Sequence, residues 1–109
     1  MKERDIERYL VARVKARGGE VRKVVWPGRK YAPDRVVMLM PTTVMEQDMC
    51  TAYDLSRTVW IELKAPGLKA TFPSNAHERG QAREHEKMRK CGQRVLVIDS
   101  KEGIDEVLW

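Results

Sequence analysis

The sequence predicts a single α/β domain with its elements in the order helix, three strands, helix, strand, helix. Two observations carry this prediction. Apolar residues recur at helical spacing near the amino terminus, and short apolar runs bounded by Gly or Pro read as strands further along the chain. At 109 residues the chain has the size of one ordinary domain with one core. We therefore treat residues 1–109 as one domain.

The first predicted helix covers residues 3–17, and a pair of glycines ends it. Glu7 shares its side of this helix with the apolar residues that follow three, four and seven positions later: Leu10, Val11 and Val14. A carboxylate at the edge of a buried stripe needs a partner, and a metal ion would supply one. The alternative is a solvated Glu7 on the flank of the helix, which is the better interpretation for this helix taken alone.

Three β-branched or apolar stretches read as strands before the second helix: residues 21–26, 36–40 and 59–64. The second of them suits a strand that is covered on both faces and ends at Pro41. Residues 42–58 form a longer interval than an ordinary hairpin loop. We expect an extended hairpin tip, a flexible flap or a contact surface there.

Side chains alternate along a strand, so Trp60, Glu62 and Lys64 should share one face. Asp34 comes just before the neighbouring predicted strand. Two carboxylates can hold Mg²⁺ beside a phosphate, and a lysine can orient the attacking water or offset charge in the transition state. Taken without Asp34, the pair Glu62 and Lys64 would be better interpreted as an exposed ion pair. Such a pair contributes under about 1 kcal/mol to stability. The Pro-Asp pair upstream shifts the balance towards a metal site.

The second predicted helix begins near Ser74 or Asn75, either of which could cap it. Gln81 and His85 are one turn apart on it, so Gln81 can face the predicted site, the alternative being a solvated glutamine. His77 and His85 have no further ligand at zinc-like spacing, and both are predicted to lie on the helix surface.

A fourth predicted strand, residues 94–99, is apolar enough to be central in the sheet. Ser100 would then cap a short final helix that runs to Leu108.

The composition indicates which classes of partner the chain could bind. It has 21 Lys and Arg against 16 Asp and Glu, a net charge of +5, which favours an anionic partner. Aromatic residues are few, so recognition of a phosphate backbone is a better expectation than base stacking. The two cysteines form no framework, and no signal-peptide pattern or long apolar run is present. A soluble, cytoplasmic protein of a bacterium or a phage-infected host fits these features.

The Pro33-Asp34 pair followed by Glu62-Leu63-Lys64 resembles the PD-(D/E)XK nuclease signature. The surrounding residues resemble its VRR-NUC branch, which has a helix carrying an acid such as Glu7, a Gly-Gly turn, a lysine such as Lys23 and a helix glutamine such as Gln81. This resemblance covers nearly the whole chain. It implies a PD-(D/E)XK restriction-endonuclease-like core in the order αβββαβ, with a mixed sheet flanked by helices. Ala32 departs from the glycine that many relatives have before the Pro-Asp pair.

The resemblance also implies the roles of the site residues. Glu7, Asp34, Glu62 and the backbone carbonyl of Leu63 would hold Mg²⁺ or Mn²⁺. Lys64 and Gln81 would position or polarise the attacking water. Glu3, one turn before Glu7, is the competing first-helix acid. Cations near the site that could bind DNA are Lys23, Arg29, Lys30 and Lys69.

The function implied by the resemblance is a structure-specific endodeoxyribonuclease, most closely a resolvase of Holliday junctions or other branched DNA that acts as a homodimer. The expected dimer interface draws on Met45, Met49, Trp26 and Trp109, although each could instead fill the core of its own domain. The alternatives are a nicking or restriction-like nuclease, a non-catalytic basic nucleic-acid-binding module, and a small partner-binding or ribosome-associated basic protein.

Overall fold

The computed structural model describes residues 1–46 and 51–108, and their side chains except those of 42–46 and 51–56. The order of elements is the predicted one. The helices and strands are α1 (Glu3–Ala16), β1 (Glu20–Lys23), β2 (Arg35–Glu46), β3 (Thr51–Leu63), α2 (Ala76–Lys90), β4 (Val95–Ile98) and α3 (Lys101–Val107). A short 3-10 helix, Lys69–Thr71, precedes α2.

The described strands form one four-stranded sheet in the order β1-β2-β3-β4. The first three strands pair antiparallel, whereas β4 pairs parallel to β3. The prediction of a mixed sheet flanked by helices is therefore confirmed. The prediction that the last strand is central is wrong, because β4 lies at the edge. Its apolar character comes from packing on its two faces, where Val95 and Ile98 are both buried.

The prediction for the second strand is wrong in two respects. The strand continues past Pro41 to Glu46, with a register shift in its pairing to β3 between Leu39 and Thr42. A proline is tolerated at such an irregularity because no ladder hydrogen bond needs its missing N–H. Only one face is covered, since Leu39 is buried while Met40 is 59% exposed.

Pairing of β2 with β3 from Thr42↔Leu55 to Glu46↔Thr51 shows that the long interval is an extended hairpin. The tip of this hairpin and the side chains of Met45 and Met49 lie outside the described residues. Trp109 lies outside them as well.

The main core lies between the sheet and α1. Ile6, Leu10 and Val14 of this helix are fully buried, and they join β3 side chains such as Val59 and Ile61 in one apolar cluster. Burial of each large aliphatic side chain contributes about 1.5–3 kcal/mol. Strand alternation then turns the even-numbered β3 residues towards the opposite face, where α2 lies.

Two side-chain caps hold the predicted helix starts. The side chain of Asn75 accepts a hydrogen bond from the Glu78 amide at 2.8 Å, so Asn75 is the N-cap of α2. Ser100 caps α3 in the same way through the Gly103 amide at 3.0 Å. Both caps fix where a helix begins.

The loop before β2 packs against α2 through Tyr31. This residue has a φ of 73°, an uncommon conformation for a residue other than glycine. A Cβ atom on Gly80 would come within 2.4 Å of the Tyr31 ring, so the ring lies directly on the helix backbone. The contact joins the loop that leads to Asp34 to the helix that carries Gln81.

Among the described helices, none has both the length and the apolar composition needed to cross a membrane.

Candidate active site

The two strand acids lie side by side where β2 begins and β3 ends. Asp34 accepts a hydrogen bond through Oδ2 from the Leu63 amide at 2.7 Å, which ties it to β3. Glu62 is only 2% exposed. Its burial raises its pKa well above the ordinary value, and the neighbouring Asp34 carboxyl group raises this pKa further, while Lys64 opposes the shift. A bound cation would stabilise the charged form of Glu62, which burial and its neighbour disfavour.

Gln81 connects the second acid to the lysine. Its Nε2 donates to Glu62 Oε1 at 3.0 Å, and its Oε1 accepts from Lys64 Nζ at 2.9 Å. The side chain is buried, so the inward-facing orientation predicted for Gln81 is the one observed. A single amide therefore fixes the separation of a carboxylate and an ammonium group across the interface between β3 and α2.

Glu78 is a site residue that the sequence analysis did not identify. Its Oε2 lies 3.1 Å from Lys64 Nζ, and its Oε1 accepts from both the amide (2.8 Å) and the hydroxyl (2.7 Å) of Ser74. These hydrogen bonds, chiefly those from Ser74, lower the pKa of Glu78 to about 2. Glu78 is three positions before Gln81, so helical spacing could have placed both on one face.

The prediction that His85 lies on the helix surface is wrong, because this residue is fully buried. Its ring stacks on Phe72 with centroids 5.8 Å apart, and Nε2 lies 3.4 Å from Glu62 Oε1. Neither ring nitrogen has a hydrogen-bond partner within the described structure. Burial, with the nearby cations Arg89 and Lys64, lowers the pKa of His85 to about 4. His77, by contrast, is exposed, as predicted.

His85 should make the stability of the metal-free protein depend on pH. The unfolded chain binds a proton at an ordinary pKa of 6.5, whereas folded His85 stays neutral down to about 4. Its contribution is therefore complete above pH 6.5 and is lost as pH falls from 6.5 towards 4, at up to about 1.4 kcal/mol per pH unit. Urea unfolding between about pH 4 and 7 should show this slope reduced in His85→Gln.

The matched control is His77→Gln, which alters an exposed histidine of the same helix. Because the raised pKa of Glu62 acts in the opposite direction, the quantity to compare is the difference between each variant and the unmodified protein. Equal slopes for His85→Gln and the unmodified protein would contradict the assignment.

The two candidate acids of α1 have different surroundings. Arg35 donates from Nη2 to Glu7 Oε1, so the partner of Glu7 in the described structure is an arginine. Glu3 lies on the exposed side of α1. Reduced solvation raises its pKa, and the charge of Asp34 raises this pKa further, with Lys64 opposing. Arg35 is thus the partner of Glu7 in the described structure, and metal ligation by Glu7, like that by Glu3, stays a prediction.

The four cations predicted to bind DNA lie on three different segments of the chain. Lys23 ends β1 on the exposed surface, and Lys69 begins the 3-10 helix with its amide donating to Asp99 Oδ2 at 3.1 Å. Arg29 and Lys30 are neighbours in the loop before β2, and both are exposed. Their contact with nucleic acid remains a prediction.

The donor set suits a hard divalent cation. Carboxylate oxygens are the ligands that Mg²⁺ and Mn²⁺ prefer, and one or two carboxylates together with substrate oxygens and waters suffice. In the described residues no group of three or more His, Cys, Asp or Glu side chains converges as a complete metal site. Asp34 and Glu62 would therefore form a site that the substrate completes. For Leu63 the contact seen is that of its amide with Asp34, so ligation by its carbonyl stays a prediction.

Comparisons with known proteins identify the relatives of this chain. A solved structure named "VRR_NUC domain" superimposes with a TM-score of 0.65 and 28% sequence identity, over 96% of this chain and 91% of that one. A protein of Acyrthosiphon pisum secondary endosymbiont phage 1 named "Putative nuclease p44" is 34% identical over 102 residues, which are 94% of this chain and 87% of that protein. No family model matches the sequence.

Proposed function

The chain belongs to the VRR-NUC domain family, and from this membership we propose that it is a divalent-metal-dependent endonuclease that hydrolyses phosphodiester bonds in branched DNA. The observation that carries the proposal is the connected set Glu62, Gln81 and Lys64 beside Asp34. Nucleases of this fold usually use divalent metals. A binding-only domain would gain nothing from two acids at a surface that must meet phosphates.

Asp34 and Glu62 would hold the cation, which is Mg²⁺ or Mn²⁺. When bound, it supplies charge stabilisation for the transition state of phosphodiester hydrolysis. Glu62 must be ionised to serve as a ligand, and its raised pKa in the metal-free protein means that cation binding is coupled to loss of a proton. Affinity for the cation should therefore increase with pH.

Lys64 would act on the reacting phosphate. In the in-line reaction a water oxygen forms a bond to phosphorus, the bond to the leaving oxygen breaks, and that oxygen acquires a proton. The Nζ atom of Lys64 can orient the water or offset the negative charge that grows on the phosphate oxygens. Gln81 holds this atom at 2.9 Å, and the Glu78 carboxylate holds it at 3.1 Å, so the group is positioned before the substrate arrives.

Substitution of the two candidate acids of α1, Glu3 and Glu7, gives a further test of the metal site. We expect Glu3→Gln to lower the single-turnover cleavage rate at saturating Mn²⁺ more than Glu7→Gln does. The reason is that Glu7 is already paired with Arg35, whereas the charges of Asp34 and Lys64 both act on the Glu3 carboxyl group. Glu7→Gln serves as the matched control because it removes the same charge one turn away. A larger loss for Glu7→Gln would restore the assignment made from the sequence.

Branched DNA as the substrate is supported by the small size of the domain. A domain of 109 residues offers little surface for reading base edges, so shape and backbone should dominate recognition. Symmetric cutting of a four-way junction needs two sites, and a two-fold dimer supplies them. A family relative occurs in a phage, which agrees with action in the cytoplasm of a bacterium or phage-infected host.

The proposed dimer interface remains the hairpin with Met45 and Met49, together with Trp109 and Trp26. In the described structure Trp26 is half-buried and makes an edge contact with Trp60 at a centroid distance of 6.4 Å. Part of its surface is thus used within its own domain. Light scattering on the unmodified chain, and on one with residues 44–52 replaced by a Gly-Asn turn, separates a hairpin interface from a monomer.

The test of the function is a cleavage assay on labelled duplex, flap, splayed-arm and four-way DNA, with Mg²⁺, Mn²⁺ or EDTA. We expect cutting of branched substrates that EDTA abolishes. Cutting of plain duplex at equal rates would favour the nicking or restriction-like alternative. Binding without cutting under every condition would favour the non-catalytic module.

A further inference from the structure

A cationic groove lies outside the candidate active site, between the loop before β2 and the outer side of α2. Its volume is about 320 Å³. Arg29 and Lys30 line one wall, and Arg83 and Lys87, one helical turn apart, line the other, together with Glu84. Four cations therefore meet a single acid in this groove.

The one acid fixes a cation in place. Arg29 donates from Nε and Nη2 to the two carboxylate oxygens of Glu84 at 2.9 and 2.8 Å. Such a bidentate pair orients the guanidinium, and the remaining Arg29 donors are free to meet a ligand, since the side chain is 55% exposed. Within the described part of the chain, Lys30, Arg83 and Lys87 have no ion-pair partner. The groove thus presents three uncompensated charges and one arginine that is already oriented.

Two residues that line the groove are close in sequence to the candidate active site. They are Gly80 and Tyr31, and a Cβ atom at position 80 would come within 2.4 Å of the Tyr31 ring. Gly80 is next to Gln81 in α2, and Tyr31 is three residues before Asp34. The groove is therefore built by the helix that carries Gln81 and by the loop that leads to Asp34.

We propose that this groove binds the sugar-phosphate backbone of the DNA substrate beside the bond that is cut, a proposal that rests on the proposed function. Phosphates carry the charge that a concave surface with three uncompensated cations favours. The Tyr31 ring is packed on Gly80 and lies 5.4 Å from the His77 ring, so contacts within the protein already use part of its surface. The groove would position DNA without reading its sequence.

The experiment measures DNA binding without cleavage. Fluorescence anisotropy with a labelled four-way junction and a labelled duplex, in EDTA and at several salt concentrations, gives the slope of log K against log salt. In the triple variant Lys30→Gln, Arg83→Gln, Lys87→Gln we expect a slope less steep by about 0.9 for each lost contact, or about 2.7 in total. The three residues are exposed, and circular dichroism checks that the variant folds.

The matched control is Arg4→Gln, Arg8→Gln, Lys15→Gln, which removes three exposed charges from the outer face of α1. It should change the slope by much less than the groove variant. Three outcomes would each contradict DNA binding by the groove. They are equal effects of the two triple variants, an unchanged slope in the groove variant, and no DNA binding by the unmodified protein. If the groove variant loses binding but the unmodified protein cuts no DNA, the groove stands and the catalytic proposal fails.

Discussion

Lys64→Ala should lower the rate of DNA cleavage by a factor of about 10²–10³ while leaving the fold and DNA binding in EDTA intact. The expected size is that of removing one preorganised electrostatic group from an active site. The fold should tolerate the change because Lys64 follows the last residue of β3 and lies outside the apolar cluster. Single-turnover rates on a four-way junction, with binding measured separately, would show the loss in the chemical step.

Substitution of Glu78, a partner of Lys64, should have an intermediate effect on the cleavage rate. Glu78→Gln keeps the lysine but removes the carboxylate 3.1 Å from its Nζ, so we expect a smaller loss than for Lys64→Ala. Lys15→Ala removes an exposed lysine of α1 and should leave the rate unchanged. Cleavage by Lys64→Ala at the rate of the unmodified protein would remove Lys64 from the mechanism.

The double variant Asp34→Asn, Glu62→Gln should lose Mn²⁺ binding in calorimetry, with affinity lower by a factor of about 10² or more. We base this on the about 10–100-fold loss that even an outer-shell substitution causes at metal sites. Without metal the double variant should be at least as stable as the unmodified protein, because it removes a buried carboxyl group whose charged form is disfavoured by burial and by its neighbour. The amide oxygen introduced by Asp34→Asn can still accept the hydrogen bond from the Leu63 amide.

Two exposed acids of α3 supply the control for this measurement. Glu102→Gln, Glu106→Gln removes the same charge far from the candidate site, and it should bind Mn²⁺ as the unmodified protein does. Retained Mn²⁺ binding in the Asp34, Glu62 double variant would locate the cation elsewhere.

The sequence predicted the parts of the site that depend on local periodicity. A strand repeat of two residues predicted that Glu62 and Lys64 share a face, and a helical repeat turned Gln81 inward. Residue type at a helix start predicted the cap Ser100 and limited the cap of α2 to Ser74 or Asn75, of which Asn75 is the one observed. The mixed sheet was predicted from the family resemblance, because local sequence patterns do not show which strands pair with each other.

The parts that the sequence did not predict depend on contacts between distant segments. His85 is covered by the ring of Phe72, which stacks on it from the segment before α2. Arg29 meets Glu84 across 55 positions. The role of Glu78 depends on Ser74 and Lys64 together. Glu7 was assigned from its apolar neighbours on α1, but its partner Arg35 comes from another element.

The contact between Tyr31 and Gly80 constrains the order in which this protein could accumulate substitutions. A methyl group at position 80 would overlap an aromatic ring at position 31, with a nearest separation of 2.4 Å. Alanine at position 80 therefore requires the Tyr31 ring to shift or to be absent, so substitutions at the two positions should have non-additive effects. In a selection for activity, Gly80→Ala should be tolerated better in a chain that already lacks the ring at position 31 than in the unmodified chain.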